Sequence, residues 1–252
     1  MRFTHLSILL YFLLFLSCKH QKPHIFKIEG TQIPVSDSIA VDLEIENFIK
    51  PYRHPIDKDL NRILTYSADT YSKTNGLLNT AIGNYMADAV YMETNPIFNK
   101  RTGLNIDIVL LNHGGIRAPL PKGNISTRNA YHLMPFENNV VVVVLKGSQI
   151  DSLIHYLSKS KRAHPISKLK LILDHNFEVV EATINNLSIK KNKTYNVATS
   201  DYLLNGGDNM IFFKNNDTVN HLNYKIRNIL IDNFKKVDTI NPVIDDRFIQ
   251  IK

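Results

Sequence analysis

Pro135-Phe136-Glu137-Asn138-Asn139-Val140-Val141-Val142-Val143-Val144-Leu145-Lys146-Gly147 is the stretch that decides the fold. Five successive valines between Asn139 and Lys146 leave this segment no polar face. β-branched side chains favour extended backbone, and an unbroken apolar run of this length predicts a strand buried on both sides. Gly147 then opens a helix expected to run to about Ser158. A strand of this kind needs cover on each face, and helices beside it point to an α/β or α+β domain.

Outward from that strand, helices and strands alternate without a strict repeat. Residues 39–53 carry Ile39, Val41, Leu43, Ile45, Phe48 and Ile49 and are expected to be helical. Ile63 to Lys73 alternates as a strand. Asn79 to Thr94 has helical spacing, with Ile82, Met86, Ala89, Val90 and Met92 on one broad face. Ile106 to Leu111 is a short buried strand, and Ser126 to Tyr131 a short helix opened by a Ser or Thr cap. Leu169 to Leu173, Phe177 to Ile184 and Thr194 to Thr199 are further strands. Asn220 to Lys235 is expected as a closing helix. The predicted class is α/β (α+β), a mixed sheet flanked by helices.

Two glycine doublets stand where strands give out. The first is Asn112-His113-Gly114-Gly115-Ile116-Arg117. The second is Ser200-Asp201-Tyr202-Leu203-Leu204-Asn205-Gly206-Gly207-Asp208. With only ten glycines among 252 residues, two doublets flanked by Asn, Arg and Asp point to a backbone that a ligand approaches closely. The net charge of +7 is spread along the chain. No basic run is interleaved with aromatics, so nucleic acid is not the expected partner.

The N-terminus has a charged start at Met1-Arg2, a short apolar core from Leu6 to Leu16, and then Ser17-Cys18. This pattern predicts a signal peptide over residues 1–17. Phe15-Leu16-Ser17-Cys18 resembles a bacterial lipobox with Phe in place of the usual Leu, which makes Cys18 the expected lipidated residue. The alternative is an ordinary signal peptide that happens to contain Cys. Cys18 is the only cysteine, so no disulfide is available to the rest of the chain. Residues 18–38, polar and holding Pro23 and Pro34, read as a tether, and 39–252 as the folded domain. The expected location is exported and membrane-anchored, periplasmic or cell-surface. No later window approaches the roughly 18 apolar residues that a membrane span needs.

Four blocks in order resemble one family: Gly83-Asn84-Tyr85-Met86-Ala87-Asp88-Ala89, then Asn112 to Arg117, then Pro135 to Gly147, then Tyr202 to Asp208. The family is the 5'-nucleotidases and UDP-sugar hydrolases, and the resemblance is to their C-terminal domain, over roughly residues 40–250. There the C-terminal domain binds the nucleotide and an N-terminal two-metal phosphoesterase domain does the chemistry. By that resemblance Phe136 and Tyr202 are the aromatic walls that stack the base, and Asn138 addresses its edge. Asn112 and Arg117 face the ribose and phosphate, and Asp208 accepts from the ribose hydroxyls. The residue types suit these tasks. A base stack tolerates any base, a guanidinium matches phosphate oxygens, and a carboxylate accepts from a diol. Taken singly each has an ordinary use: Phe136 as a core plug, Asp208 as a turn residue, Arg117 as a surface charge. His113 reads as a solvated or core-satisfied histidine, and Glu137 as a solvated loop carboxylate.

Two departures shape the expected function. Relatives carry arginines just before the Gly-Asn signature, whereas Thr74 to Thr80 has none, which points toward a nucleoside-like mode. The Asp-x-His and His-x-His pairs of a two-metal phosphoesterase are also missing from the sequence. The expectation is therefore a nucleotide- or nucleoside-binding half of a 5'-nucleotidase-type phosphohydrolase in nucleotide catabolism, with no catalytic or metal-binding residues of its own. It would work with a separately encoded metallophosphatase subunit that holds the divalent metals. The alternative is a free-standing nucleoside- or nucleotide-binding lipoprotein without a catalytic role.

Overall fold

A computed structural model describes residues 24–251. The predicted signal peptide, Cys18 and the first part of the predicted tether lie outside the described residues. The chain divides into two units, Met1–Phe48 and Ile49–Lys252. In the first, the described residues up to Asp42 have no regular structure beyond one turn near Ser36. Asp42 Oδ1 then accepts from the N–H groups of Glu44 and Ile45 at 2.9 and 3.2 Å, starting helix α1 (Leu43–Leu60). None of the helices among the described residues is long and apolar enough to cross a membrane.

The second unit runs on through β1 (Ile63–Ser67), α2 (Ala81–Thr102), β2 (Ile108–Leu110), β3 (Gly123–Ser126), α3 (Thr127–Leu133), β4 (Asn139–Lys146) and α4 (Gly147–Ser160). There follow β5 (Ile166–Ser167), β6 (Leu169–Leu173), β7 (Val179–Ile184), β8 (Leu187–Ser188), β9 (Thr194–Ser200) and α5 (Asp201–Leu204). The unit closes with β10 (Thr218–Lys225), α6 (Ile226–Phe234), β11 (Thr239–Ile240) and β12 (Phe248–Gln250). The class is mixed α/β, as the sequence predicts.

The valine run is the second strand of a five-stranded sheet ordered β10-β4-β9-β2-β5. Its side chains alternate between two cores. Val140 and Val142 pack with Ile82, Met86, Ile229 and Phe234, the residues of α2 and α6. Val141, Val143 and Leu145 pack with Ile150, Leu153 and Leu157 of α4. Burial on both faces is what an uninterrupted apolar strand requires. A three-stranded sheet, β11-β1-β3, and a four-stranded one, β12-β6-β7-β8, complete the unit.

The structure departs from the sequence expectation at several places, and the first helix, expected over 39–53, runs Leu43–Leu60. The closing segment is not one helix: Thr218–Lys225 is a strand paired with β4, and the helix begins at Ile226. The strand expected over Ile63 to Lys73 stops at Ser67, where the chain turns, and only Tyr71 pairs again, with Leu120. Helix α2 passes through Pro96 and ends at Thr102, followed by Gly103 at φ 74°.

The Gly83–Ala89 block lies on α2 and works as a clamp. Asn84 Nδ2 donates to Asn79 Oδ1 at 2.9 Å and to the Val243 carbonyl at 3.0 Å. Asn79 Nδ2 reaches the carbonyls of Asp245 and Phe248 at 3.0 and 2.9 Å. Asp88 takes two hydrogen bonds from Arg247, at 3.0 and 2.9 Å, and one from Ser167 at 2.6 Å. The block thus fastens the last strand, β12, against the domain.

Candidate functional site

Strand directions bring three loops to one end of the central sheet. β2 pairs parallel with β9, so the segments that leave their carboxyl ends, the two glycine loops, emerge side by side. β4 is antiparallel to β9 with Val140 opposite Ser200, so the segment that enters β4 arrives at the same end. An opening past the carboxyl ends of parallel strands is a favoured ligand position in α/β sheets. The His113–Gly115 turn, the Pro135–Asn138 segment and α5 with its following turn meet there.

Asn112, Arg117, Phe136, Asn138, Tyr202 and Asp208, the six residues singled out in the sequence, border one cavity of about 270 Å³, together with Gly114. Phe136 and Tyr202 are 39 % and 44 % exposed, so neither is a core plug. The Arg117 guanidinium lies 5.8 Å from the centre of the Phe136 ring. Arg117 is the one cation among the lining residues.

The glycine loops are joined directly. Asn112 Nδ2 donates to Asp208 Oδ2 at 2.9 Å. Tyr202 Oη donates to Asp208 Oδ1 at 3.0 Å, and its bond to that carboxylate holds the phenol above its usual range. Gly207 lets the ring lie close: a Cβ there would fall 2.4 Å from Tyr202 ring carbons. No side chain larger than hydrogen fits that spacing.

Asp201, beside Tyr202 but not singled out in the sequence, ties the two aromatic segments together. Its Oδ1 accepts from the Tyr202 N–H at 2.8 Å and its Oδ2 from the Asn139 N–H at 3.1 Å. The Phe136 segment is held from its other side by Arg227, whose guanidinium is buried and sits 4.1 Å from the Tyr131 ring centre. Arg227 donates to the carbonyls of Pro135 and Phe136 at 3.2 and 3.5 Å and to the Glu137 carboxylate. Glu137 is therefore not merely solvated: hydrogen bonds from Lys225 and Arg227 hold its carboxyl down at about 2.

Two histidines back the first glycine loop. His113 Nδ1 lies 3.2 Å from the Ala163 carbonyl, which makes it a donor there, and the His113 backbone N–H donates to His164 Nδ1 at 3.3 Å. Burial lowers the pKa of His113. His164 is 2 % exposed, and burial followed by the His113 charge holds it down at about 4. With Nδ1 accepting, the neutral ring carries its proton on Nε2, which has no hydrogen-bond partner among the described residues. His113 itself is half-buried.

A wider cleft of about 620 Å³ runs beside α2 and the C-terminal segment. Of its charges, Arg247 is paired with Asp88 and Asp245 and Lys170 with Asp246, while the Lys168 ammonium lies 4.4 Å from the Tyr91 ring centre. Among the described residues no group of three or more His, Cys, Asp or Glu side chains is placed to hold a metal ion. The described residues thus do not fit a two-metal centre.

The family model for the 5'-nucleotidase C-terminal domain matches residues 60–215. The cell wall protein Lmo0130 of Listeria monocytogenes is 27 % identical over 188 residues, covering 60 % of this chain and 24 % of that protein. The trifunctional nucleotide phosphoesterase protein YfkN of Bacillus subtilis is 26 % identical over 187 residues, covering 68 % of this chain and 12 % of that protein. Among solved structures, a 5'-nucleotidase precursor from Thermus thermophilus superposes with a TM-score of 0.69 at 22 % identity, over 83 % of this chain and 43 % of that one. The chain thus spans less than half the length of each.

Proposed function

As the chain belongs to the 5'-nucleotidase C-terminal domain family, we propose that its three-loop cavity binds a nucleoside or nucleotide as the substrate-binding half of a 5'-nucleotidase-type phosphohydrolase. The base stacks between Phe136 and Tyr202, and Asn138 meets its edge. Asp208 accepts from the ribose hydroxyls, and Asn112 and Arg117 face the ribose and phosphate. A separately encoded metallophosphatase subunit supplies the divalent metals and the hydroxide they generate. The observation that carries this reading is the convergence of six residues from three separate segments on one cavity.

Calorimetric titration of the purified protein with adenosine, uridine and AMP tests the binding half of the proposal, and saturable binding is expected. Incubated alone with AMP and Mn²⁺ or Zn²⁺, the protein is expected to release no phosphate above a blank. Steady turnover that survives repurification contradicts the division of labour.

One observation favours a second reading, a nucleoside-binding lipoprotein without a catalytic role: Arg117 is the cavity's one lining cation. AMP binding no more tightly than adenosine supports that reading. Anchoring through Cys18 belongs to both, with the protein exported to a periplasmic or cell-surface membrane. Cys18→Ser is expected to move it from the membrane fraction to the soluble one, and a variant that stays membrane-bound contradicts the anchor.

A further inference from the structure

Asp208 is held at four points. Its N–H donates to Tyr202 Oη at 3.3 Å, and that hydroxyl donates in turn to Asp208 Oδ1 at 3.0 Å. Asn112 Nδ2 donates to Oδ2 at 2.9 Å. From behind, Tyr156 Oη donates to the Asp208 carbonyl at 2.8 Å. Tyr156 is itself fixed on α4, its ring centre 5.5 Å from that of His164 and 5.7 Å from that of Phe212.

These bonds hold a backbone that would not choose its own shape. Asp208 sits at φ 50°, ψ 27°, in the left-handed region, and Asn209 follows at φ 61°. A non-glycine residue persists there only where its surroundings over-determine it. Two of the four bonds reach the main chain and come from tyrosine hydroxyls, one on the N–H and one on the carbonyl. The other two use one lone pair on each carboxylate oxygen, leaving a second on each for further donors. A ribose 2',3'-diol brings two such donors, and a 2'-deoxyribose brings one.

Resting on the nucleoside-binding reading above, we propose that the hydroxyls of Tyr202 and Tyr156 are positioning groups. They fix Asp208 in its left-handed conformation, with the carboxylate presented to the cavity, and so make the site selective for ribonucleosides over 2'-deoxyribonucleosides. Tyr202 thereby does two things: its ring is a wall for the base, and its hydroxyl sets the group that reads the sugar.

The test is calorimetric titration of wild type, Tyr202→Phe and Tyr156→Phe with adenosine and 2'-deoxyadenosine, with folding checked by circular dichroism. Both variants keep their rings, so packing and stacking are retained. The preference of the wild type for adenosine is expected to fall about fivefold in each variant, the worth of one ordinary hydrogen bond. Retained binding of 2'-deoxyadenosine separates this from a general loss of the site. A wild type without preference between the sugars, or an unchanged ratio in both variants, overturns the inference and leaves nucleoside binding standing. A wild type that binds neither nucleoside overturns both.

Discussion

Asn112 and Asp208 meet side chain to side chain, 2.9 Å apart and 96 positions apart in sequence, and so lock the first glycine loop to the second. Both loops leave the carboxyl ends of adjacent parallel strands, so their proximity follows from the pairing of β2 with β9.

A double-mutant cycle reads that contact. Asn112→Ala and Asp208→Ala are each expected to lower stability modestly, and the pair by less than their sum. The coupling energy should be about 1 kcal/mol, since the bond is to a charged group but only partly buried. Denaturant unfolding measures it, and additive effects contradict the contact.

His164 gives the protein an acid-sensitive term. Its folded pKa of about 4 lies below the ordinary histidine value of 6.5, so the unfolded chain binds the proton more readily. The contribution of the neutral buried ring is therefore complete above about pH 6.5 and is lost as pH falls toward 4. It amounts to up to about 3 kcal/mol at full shift. The denaturation midpoint of the wild type should decline over that window, and His164→Asn should show a shallower decline. Parallel profiles contradict the assignment.

Gly207 and Gly147 predict opposite outcomes for the same substitution. A Cβ at Gly207 meets the half-exposed Tyr202 ring, which can move aside. Gly207→Ala should therefore weaken nucleoside binding and leave the thermal midpoint nearly unchanged. A Cβ at Gly147 falls 2.3 Å from the Lys190 carbonyl oxygen, part of a backbone that cannot swing away. Gly147→Ala should cost about 1–3 kcal/mol of stability, the usual range for overpacking. Thermal unfolding and titration of the two variants separate them.

Features that repeat along a short stretch were legible in the sequence. The valine run could only be a strand covered on both faces, and that is β4. The six cavity residues were legible through the resemblance of their blocks to the 5'-nucleotidase C-terminal domain. What was misread depended on contacts with distant segments. In Asn220 to Lys235 the alternation of Leu222, Tyr224 and Ile226 runs straight into the helical spacing of Ile226, Ile229 and Leu230, and the strand shows itself only through its pairing with β4. The spacing that marks α2 gives out at Thr94, before Pro96, yet burial of Phe98 carries the helix past both. Asp201, Tyr156, His164 and Arg227 left no local mark beyond the position of Asp201 beside Tyr202. Their roles lie in bonds to residues between 51 and 92 positions away, apart from the Asp201 bond to its neighbour.

The central claim is that Phe136 and Tyr202 flank one base, and the most direct measurement is calorimetric titration of adenosine into wild type, Phe136→Ala, Tyr202→Ala and the double variant. Each single variant is expected to lose about 1–3 kcal/mol of binding, the worth of one base stack. The double variant should lose less than the sum, because the two walls share a ligand. Unchanged affinity in both single variants, with the fold intact by circular dichroism, would contradict the account.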